Sequence, residues 1–229
     1  MEYIVDGKTV RYNPFHMKAS LFLGSGEEGS CYKIGPYAVK FYSLFCSKMR
    51  LKKETALPMT QIETERILLP RKLLLNKRHQ MQGYYTSYVE ELGKDSFYQL
   101  NRERLQEEFQ KLSSDLDVLA SSNVLLGDLI LKNTVFHEGI YLVDPGSYSF
   151  SLEALGKNED TFNEYLEWHI LAKRARFFCN ELYPAKFMSF FQEERKVASY
   201  SSTLTYLQDT MKEENLDTYL KKKIKKYTR

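Results

Sequence analysis

Hydrophobic and polar residues alternate with a short period in the first third of the chain, which is typical of half-buried strands. Five β-prone runs bounded by turn residues are predicted as strands: residues 20–23, 30–34, 37–42, 71–75 and 83–89. Between the third and fourth of these runs, the spacing of the apolar residues predicts one helix over residues 43–57, which Pro58 ends. Residues 1–19 are interpreted as a polar lead-in. We therefore expect a β-rich N-terminal part with one main helix.

Beyond Gly93 the apolar residues return every three or four positions, which is the spacing of a helix face. A long helix is predicted from one such series: Leu105, Phe109, Leu112, Leu116 and Leu119. Asp160 is predicted to cap a later helix that carries Phe162, Leu166 and Ile170, and further helices are expected around 185–197 and 201–213. The fold class is α+β, with an N-terminal lobe over residues 1–89 and a helical C-terminal lobe over residues 90–229.

Composition and charge exclude several classes of protein. The chain has 229 residues, of which 43% are hydrophobic, so it can bury a large core. Its 33 basic and 30 acidic residues are interspersed and leave a net charge of +3, which does not favour nucleic acid as a partner. Three cysteines without a C-x-x-C pair predict neither a disulfide framework nor a zinc site. With no run of about 18 apolar residues, we expect a cytoplasmic protein without a membrane span.

A hairpin is predicted after residue 133, with strands at 134–136 and 140–143 and a turn at 137–139. Pairing Phe136 with Ile140 places Asn133 opposite Val143 or Asp144, on strands about 4.8 Å apart. Asp128 lies five residues before Asn133 and faces the same end of the hairpin. Amide and carboxylate oxygens suit Mg²⁺, so Asn133 and Asp144 are predicted metal ligands. Asp128 could then accept the proton of an attacking hydroxyl group.

A glycine-rich sequence, GSGEEG, runs from Gly24 to Gly29. The dinucleotide-binding fingerprint requires a helix directly after such glycines, whereas here strand, turn and strand follow. The glycines therefore cap a β-hairpin, whose backbone N–H groups can approach the phosphates of a nucleotide triphosphate. The predicted phosphate-binding residues are Gly24, Ser25, Gly26 and Gly29. Because carboxylates repel phosphates, Glu27 and Glu28 are expected to face solvent or a basic substrate.

The strand at 37–42 carries the next candidate residues. Its period of two places Ala38 and Lys40 on one face, with Val39 and Phe41 on the other. The small Ala38 leaves room for a flat purine, and Lys40 can reach the α- and β-phosphates from the same side.

Together these motifs resemble the protein-kinase-like superfamily: G-x-G-x-x-G, then Ala-Val-Lys, then D-x-x-x-x-N and D-x-G, in that order. The resemblance implies a bilobal fold that binds ATP and Mg²⁺ between its lobes. It also implies that a glutamate of the N-lobe helix pairs with Lys40, and Glu54 is the best placed candidate. Backbone groups from Ser87 to Val89 would bind the adenine edge.

Two departures from the eukaryotic protein kinases bear on the substrate. Neither His nor Arg precedes the Asp in Leu126-Gly127-Asp128, which looks more like aminoglycoside and choline kinases or atypical bacterial kinases. An A-P-E motif is also missing after Asp144. The leading prediction is transfer of the γ-phosphate of ATP to a hydroxyl of a protein serine or threonine. The alternatives are a small-molecule kinase of the aminoglycoside or choline type, and a nucleotide-binding pseudokinase.

Overall fold

A computed structural model describes residues 1–43, 50–178 and 183–227. The chain is α+β, with a β-rich N-terminal sheet followed by a mostly helical C-terminal part. The N-terminal strands are β1 Glu2–Val5, β2 Lys8–Arg11, β3 Phe22–Gly26, β4 Gly29–Ile34, β5 Tyr37–Tyr42, β6 Lys72–Leu75 and β7 Met81–Ser87. Within the described residues they form one antiparallel sheet in the order β2-β1-β6-β7-β5-β4-β3.

The first two strands correct the prediction of a polar lead-in. β1 and β2 pair through a tight turn at Asp6 and Gly7, whose φ angles of 50° and 75° both lie in the left-handed region. Two consecutive residues with positive φ are the mark of a type I′ turn, and Asp-Gly is among its preferred sequences. Tyr3 and Val5 face inward and are buried. The lead-in is therefore part of the sheet.

The two faces of β5 have different surroundings, as the period of two predicted. Val39 and Phe41 pack in a small apolar cluster with residues of β1, β6 and β7. Tyr42, on the opposite face, belongs to the main core, which continues into the helical part. Lys40 therefore lies on the face that looks toward the C-terminal part of the chain.

The helix predicted over residues 43–57 is shorter and later than expected. Residues 44–49 lie outside the described residues, and α1 spans Lys53–Met59. Residues 50–52 are not helical, and the Tyr42 hydroxyl donates a hydrogen bond to the Leu51 carbonyl over 3.1 Å. Pro58 lies inside the last turn instead of ending the helix. Ala56 and Met59 are the residues that this helix buries.

The C-terminal part consists of helices and short strand pairs. Its strands are β8 Val124–Leu125, β9 Thr134–Phe136, β10 Ile140–Leu142 and β11 Ser149–Phe150. Its helices are α2 Lys94–Tyr98, α3 Arg102–Ser121, α4 Ala154–Tyr165, a π-helix Leu166–Ala172, α5 Lys173–Phe178, α6 Tyr183–Val197, α7 Thr203–Thr210 and α8 Leu216–Tyr227. No helix among the described residues is long and apolar enough to cross a bilayer.

The long predicted helix is confirmed as α3, and the five apolar residues that predicted it are all buried. The cap predicted at Asp160 is wrong, because α4 begins at Ala154 and Asp160 lies inside it on an exposed position. Gly156, with φ of 86°, kinks the start of that helix. Phe162, Leu166 and Ile170 are buried, as the spacing indicated.

The sheet and the helical part are joined by residues 65–68. The backbone N–H of Leu68 donates to the Leu142 carbonyl over 2.8 Å, and the Leu142 N–H donates to the Arg66 carbonyl over 2.9 Å. The Asp115 carboxylate of α3 accepts from the N–H groups of Glu65, Arg66 and Ile67. This segment holds β10 and α3 against the sheet. The predicted lobe division at Val89 falls between β7 and α2 and stays a prediction.

Candidate active site

The glycine-rich hairpin is present in place of a helix. β3 and β4 pair through Gly26 and Gly29, with Glu27 and Glu28 in the turn. Gly29 is buried against β5, where an added Cβ would overlap the carbonyl oxygen of Phe41. Gly26 has no atom within 4 Å of the same position and is exposed, as is Ser25, while Gly24 is half-buried. The open side of the hairpin thus keeps its backbone accessible to a ligand.

Lys40 of β5 is the centre of the candidate site. It is buried, and its Nζ donates to Glu28 Oε2 over 2.6 Å and to Asp144 Oδ1 over 2.5 Å. Tyr84 of β7, the ladder neighbour of Lys40, donates from its hydroxyl to the same Asp144 oxygen over 2.8 Å. Three elements of the sheet and the loop after β10 therefore meet at one ion-pair cluster, formed by Glu28, Lys40, Tyr84 and Asp144.

Glu28 overturns the expectation that the hairpin tip faces solvent. Its side chain is 18% exposed and turns inward onto Lys40. An added Cβ on Gly146 would lie 2.7 Å from each Glu28 carboxylate oxygen, so Gly146 makes room for this carboxylate. Repulsion from phosphates alone would turn this carboxylate toward solvent. A buried ammonium group requires a countercharge, and Glu28 supplies one.

The predicted pairing of Lys40 with Glu54 is wrong in this structure. Glu54 lies exposed in the first turn of α1, about 200° around the helix from the buried Ala56. Among the described residues, the ion-pair partners of Lys40 are Glu28 and Asp144. The resemblance placed the partner on the helix, whereas the hairpin provides it.

Burial and charge act together in this cluster. Burial lowers the pKa of Lys40, but the Asp144 and Glu28 carboxylates outweigh it and leave the pKa above its ordinary value. Burial, followed by the charge of Asp144, raises the pKa of Tyr84 well above its usual range, so its phenol stays protonated as a donor. The same two causes raise the pKa of the Cys31 thiol to about 11. One ammonium shared by two carboxylates leaves an excess negative charge, which favours a cation.

The hairpin of β9 and β10 has the predicted register, with Ile140 opposite Phe136. The Val143 N–H donates to the Asn133 carbonyl over 2.9 Å, next to Asp144. The Asn133 side-chain Nδ2 donates to the carbonyl oxygen of Asp128 over 3.1 Å. Asn133 thereby links the loop of Asp128 to the end of the hairpin that carries Asp144.

Asp128 and Asp144 are two of the seven non-glycine residues with positive φ in the described part of the chain. The φ angles of Asp128 and Asp144 are 42° and 59°, in the left-handed region that residues with a Cβ uncommonly adopt. Residues held in such conformations concentrate at active sites. Gly127 is also required sterically, because an added Cβ would overlap the carbonyl oxygen of Ser147. The Gly-Asp sequence thus lets the loop pass closely over the segment that follows Asp144.

The donor atoms around Asn133 and Asp144 fit Mg²⁺. Because Nδ2 of Asn133 is committed to Asp128, its amide oxygen is the atom left to face a cation. Within the described part of the chain, both hydrogen bonds to Asp144 fall on Oδ1, which leaves Oδ2 for a metal. No group of three or more His, Cys, Asp or Glu side chains in residues 1–43, 50–178 and 183–227 is arranged to hold a metal. Mg²⁺ commonly takes one or two protein oxygens and completes its shell with water and phosphate.

The residues predicted to contact adenine lie at the other end of β5. Ala38 is half-buried and pairs with Thr86 in the ladder, and Ser87 and Val89 are half-buried beyond it. The N–H of Tyr88 donates to the Pro36 carbonyl over 2.9 Å, which fixes this end of β7 against the turn before β5. Ala38 and Ser87 thus lie at one end of the neighbouring strands β5 and β7, and their contact with adenine stays a prediction.

Sequence reasoning missed the roles of Glu28 and Tyr84. Both contacts depend on the strand order β7-β5-β4, which no local pattern specifies. Comparison with known proteins adds no assignment, since no protein-family model matches the sequence and no curated protein matches it.

Proposed function

We propose that this chain is an ATP- and Mg²⁺-dependent phosphotransferase with a protein-kinase-like fold, acting in the cytoplasm on a protein serine or threonine hydroxyl. The observation that carries the proposal is the contact of Lys40 with Asp144, 104 positions apart in sequence. It brings a buried lysine next to the glycine-rich hairpin together with a strained aspartate that has one oxygen left for a cation. Phosphoryl transfer depends on this kind of positioning and charge neutralisation.

Each residue then has one role. Backbone N–H groups of the glycine-rich hairpin hold the phosphates, and Lys40 pairs with their oxygens. The amide oxygen of Asn133 and Oδ2 of Asp144 would hold Mg²⁺, which neutralises charge on the phosphates when bound. Asp128 orients the acceptor hydroxyl and takes its proton.

The acceptor side of the site favours a macromolecule. Asp128 is exposed, and β11 pairs with β8, which leads directly into the Asp128 loop. Phe150 of β11 and Leu152 after it are 42% and 89% exposed. An open surface with apolar side chains suits a protein segment better than a small polar alcohol, which an enzyme usually encloses.

The test is incubation of the pure protein with γ-labelled ATP and Mg²⁺, with a cell lysate or with choline and an aminoglycoside as acceptors. We expect label on protein serine or threonine, lost in EDTA and in Lys40→Ala. Lys8→Ala, which removes an exposed lysine of β2, is the matched control and should retain transfer.

Three other results would change the proposal. Label on choline or the aminoglycoside alone would show that the acceptor is a small molecule and not a protein. Mg²⁺-dependent ATP binding without transfer to any acceptor would indicate a pseudokinase. Absence of both ATP binding and transfer would refute the proposed function.

A further inference from the structure

We propose that Glu28 is the positioning residue for Lys40, so that the carboxylate which orients the phosphate-binding lysine comes from the glycine-rich hairpin and not from α1. This inference rests on the proposed function and adds to it the residue that prepares Lys40 for phosphates. Glu54, the helix glutamate of the prediction, is exposed and makes no ion pair with Lys40 within the described residues.

The contact is fixed at both ends. Glu28 Oε2 lies 2.6 Å from Lys40 Nζ, and the two side chains are only 18% and 10% exposed. The carbonyl oxygen of Glu28 accepts a hydrogen bond from the Ser43 N–H over 2.7 Å, directly after the end of β5. Backbone and side chain of Glu28 are therefore both held against the strand that carries Lys40.

Glu28 gives Lys40 a second carboxylate that a metal would not use. Among the described residues the ammonium group of Lys40 has two carboxylate partners, Glu28 and Asp144. A Mg²⁺ held by Asp144 would take up much of the charge of that carboxylate, and phosphate oxygens would become further partners of the ammonium group. Glu28 is the partner that remains while Lys40 turns to the phosphates.

The position of Glu28 also links two parts of nucleotide binding. Glu28 lies in the β3–β4 turn, so its carboxylate reaches Lys40 only when the hairpin is closed over the site. The hairpin therefore closes and Lys40 is oriented in the same step. The opposite hypothesis is that Glu28 occupies the place of the phosphates and obstructs ATP, and it predicts that removing the charge improves binding.

The experiment compares wild type, Glu28→Gln, Glu28→Asp and Glu27→Gln in Mg²⁺-ATP titrations of phosphate transfer. Glu28→Gln keeps size and removes charge, and Glu27→Gln makes the same change at the exposed neighbouring position. We expect kcat of Glu28→Gln to fall about 10- to 100-fold, since misplacing a reacting group by about 1 Å can cost 10²-fold. KM for ATP should change by less than about threefold, because the phosphates keep their other contacts. Glu28→Asp should recover part of kcat, and Glu27→Gln should match wild type.

Each other outcome counts against the proposal. A kcat for Glu28→Gln equal to that of Glu27→Gln would overturn the positioning role alone. A lower KM or a higher kcat would overturn it in favour of obstruction. A wild type that neither binds nor transfers phosphate would remove the proposed function and this inference together, which the wild-type arm shows directly. Should Glu28→Gln fail to fold by circular dichroism, Glu28→Ala takes its place, because a kcat there equal to that of Glu27→Gln would also overturn the proposal.

Discussion

The two sides of the candidate site are built differently. On the proposed nucleotide side, Lys40 is buried and hydrogen-bonded to Glu28 and Asp144, so these polar groups hold one another in place. On the proposed acceptor side, Asp128 is exposed and is held through its backbone carbonyl by Asn133. Under the proposed function, the fold itself positions the groups that would bind phosphates and metal. A substrate would have to complete the geometry around the acceptor hydroxyl.

The largest expected effect comes from Asp144, which contacts both Lys40 and Tyr84. At about 100 times Kd a ligand stabilises the fold by roughly 2.7 kcal/mol, which for a chain of this size is about 5–10 °C in Tm. Asp144→Asn should lose this Mg²⁺-ATP shift and all detectable transfer, because it loses the metal and a partner of Lys40. Thermal melting with ATP in Mg²⁺ and in EDTA measures it, with exposed Asp160→Asn as control. An undiminished shift in the variant would refute the metal assignment.

Asp128 should affect the acceptor side alone. Asp128→Asn keeps size and removes charge, so turnover should fall by about 10² to 10⁴, which is about 3–5 kcal/mol of barrier. The Mg²⁺-ATP melting shift should persist, since Asp128 contacts neither phosphate nor metal. Initial rates and melting curves on one preparation separate the effects, with exposed Asp117→Asn as control. Normal turnover in Asp128→Asn would contradict its role as base.

The glycine-rich hairpin offers a matched pair of substitutions. Gly29→Ala forces a Cβ onto the carbonyl oxygen of Phe41, one residue from Lys40, whereas Gly26→Ala meets no atom within 4 Å. Overpacking of this kind costs roughly 1–3 kcal/mol. We expect Gly29→Ala to lower Tm by several degrees and to weaken ATP binding. Gly26→Ala should keep Tm near that of wild type. Equal melting temperatures for the two variants would contradict the close approach of β4 to β5.

Tyr84 should give the smallest effect. Tyr84→Phe removes the hydroxyl that donates to Asp144 while the ring stays packed, a loss of about 1 kcal/mol. Such a change corresponds to roughly a fivefold weaker affinity for Mg²⁺-ATP. Tyr85→Phe is the control, because its hydroxyl donates to Tyr12 on the other face of the sheet. A similar loss of affinity in both variants would show that the effect is general destabilisation and not the orientation of Asp144.

Local patterns predicted the local parts of this molecule. The strand at 37–42, the hairpin after Asn133 and the buried face of α3 were all correctly placed, because each depends on residues close in sequence. The hairpin of β1 and β2 was missed although Asp6-Gly7 is a strong turn signal. The polar side chains around the turn mask this signal, because three of the four residues of β2 are exposed.

Partners across the sheet could not be predicted in the same way. Tyr84 and Glu28 reach the cluster from opposite sides of β5, one on β7 and the other in the turn before β4. The alternation of residues along a strand predicts which face a side chain occupies, but it does not predict which strand lies beside it. The prediction for Glu54 follows only from the family resemblance, whereas the structure places Glu54 exposed in the first turn of α1. The missed contacts of Glu28 and Tyr84 and the wrong partner for Lys40 all concern residues that are brought together only by the pairing of strands.

The segment at residues 65–68 has a consequence for how the chain folds. All four of its N–H groups donate to α3 or to β10, and the carboxylate of Asp115, which accepts three of them, is buried. Opening the sheet away from the helices would leave that carboxylate desolvated and without its donors, which is costly. We therefore expect the sheet and the helical part to unfold together as one cooperative unit.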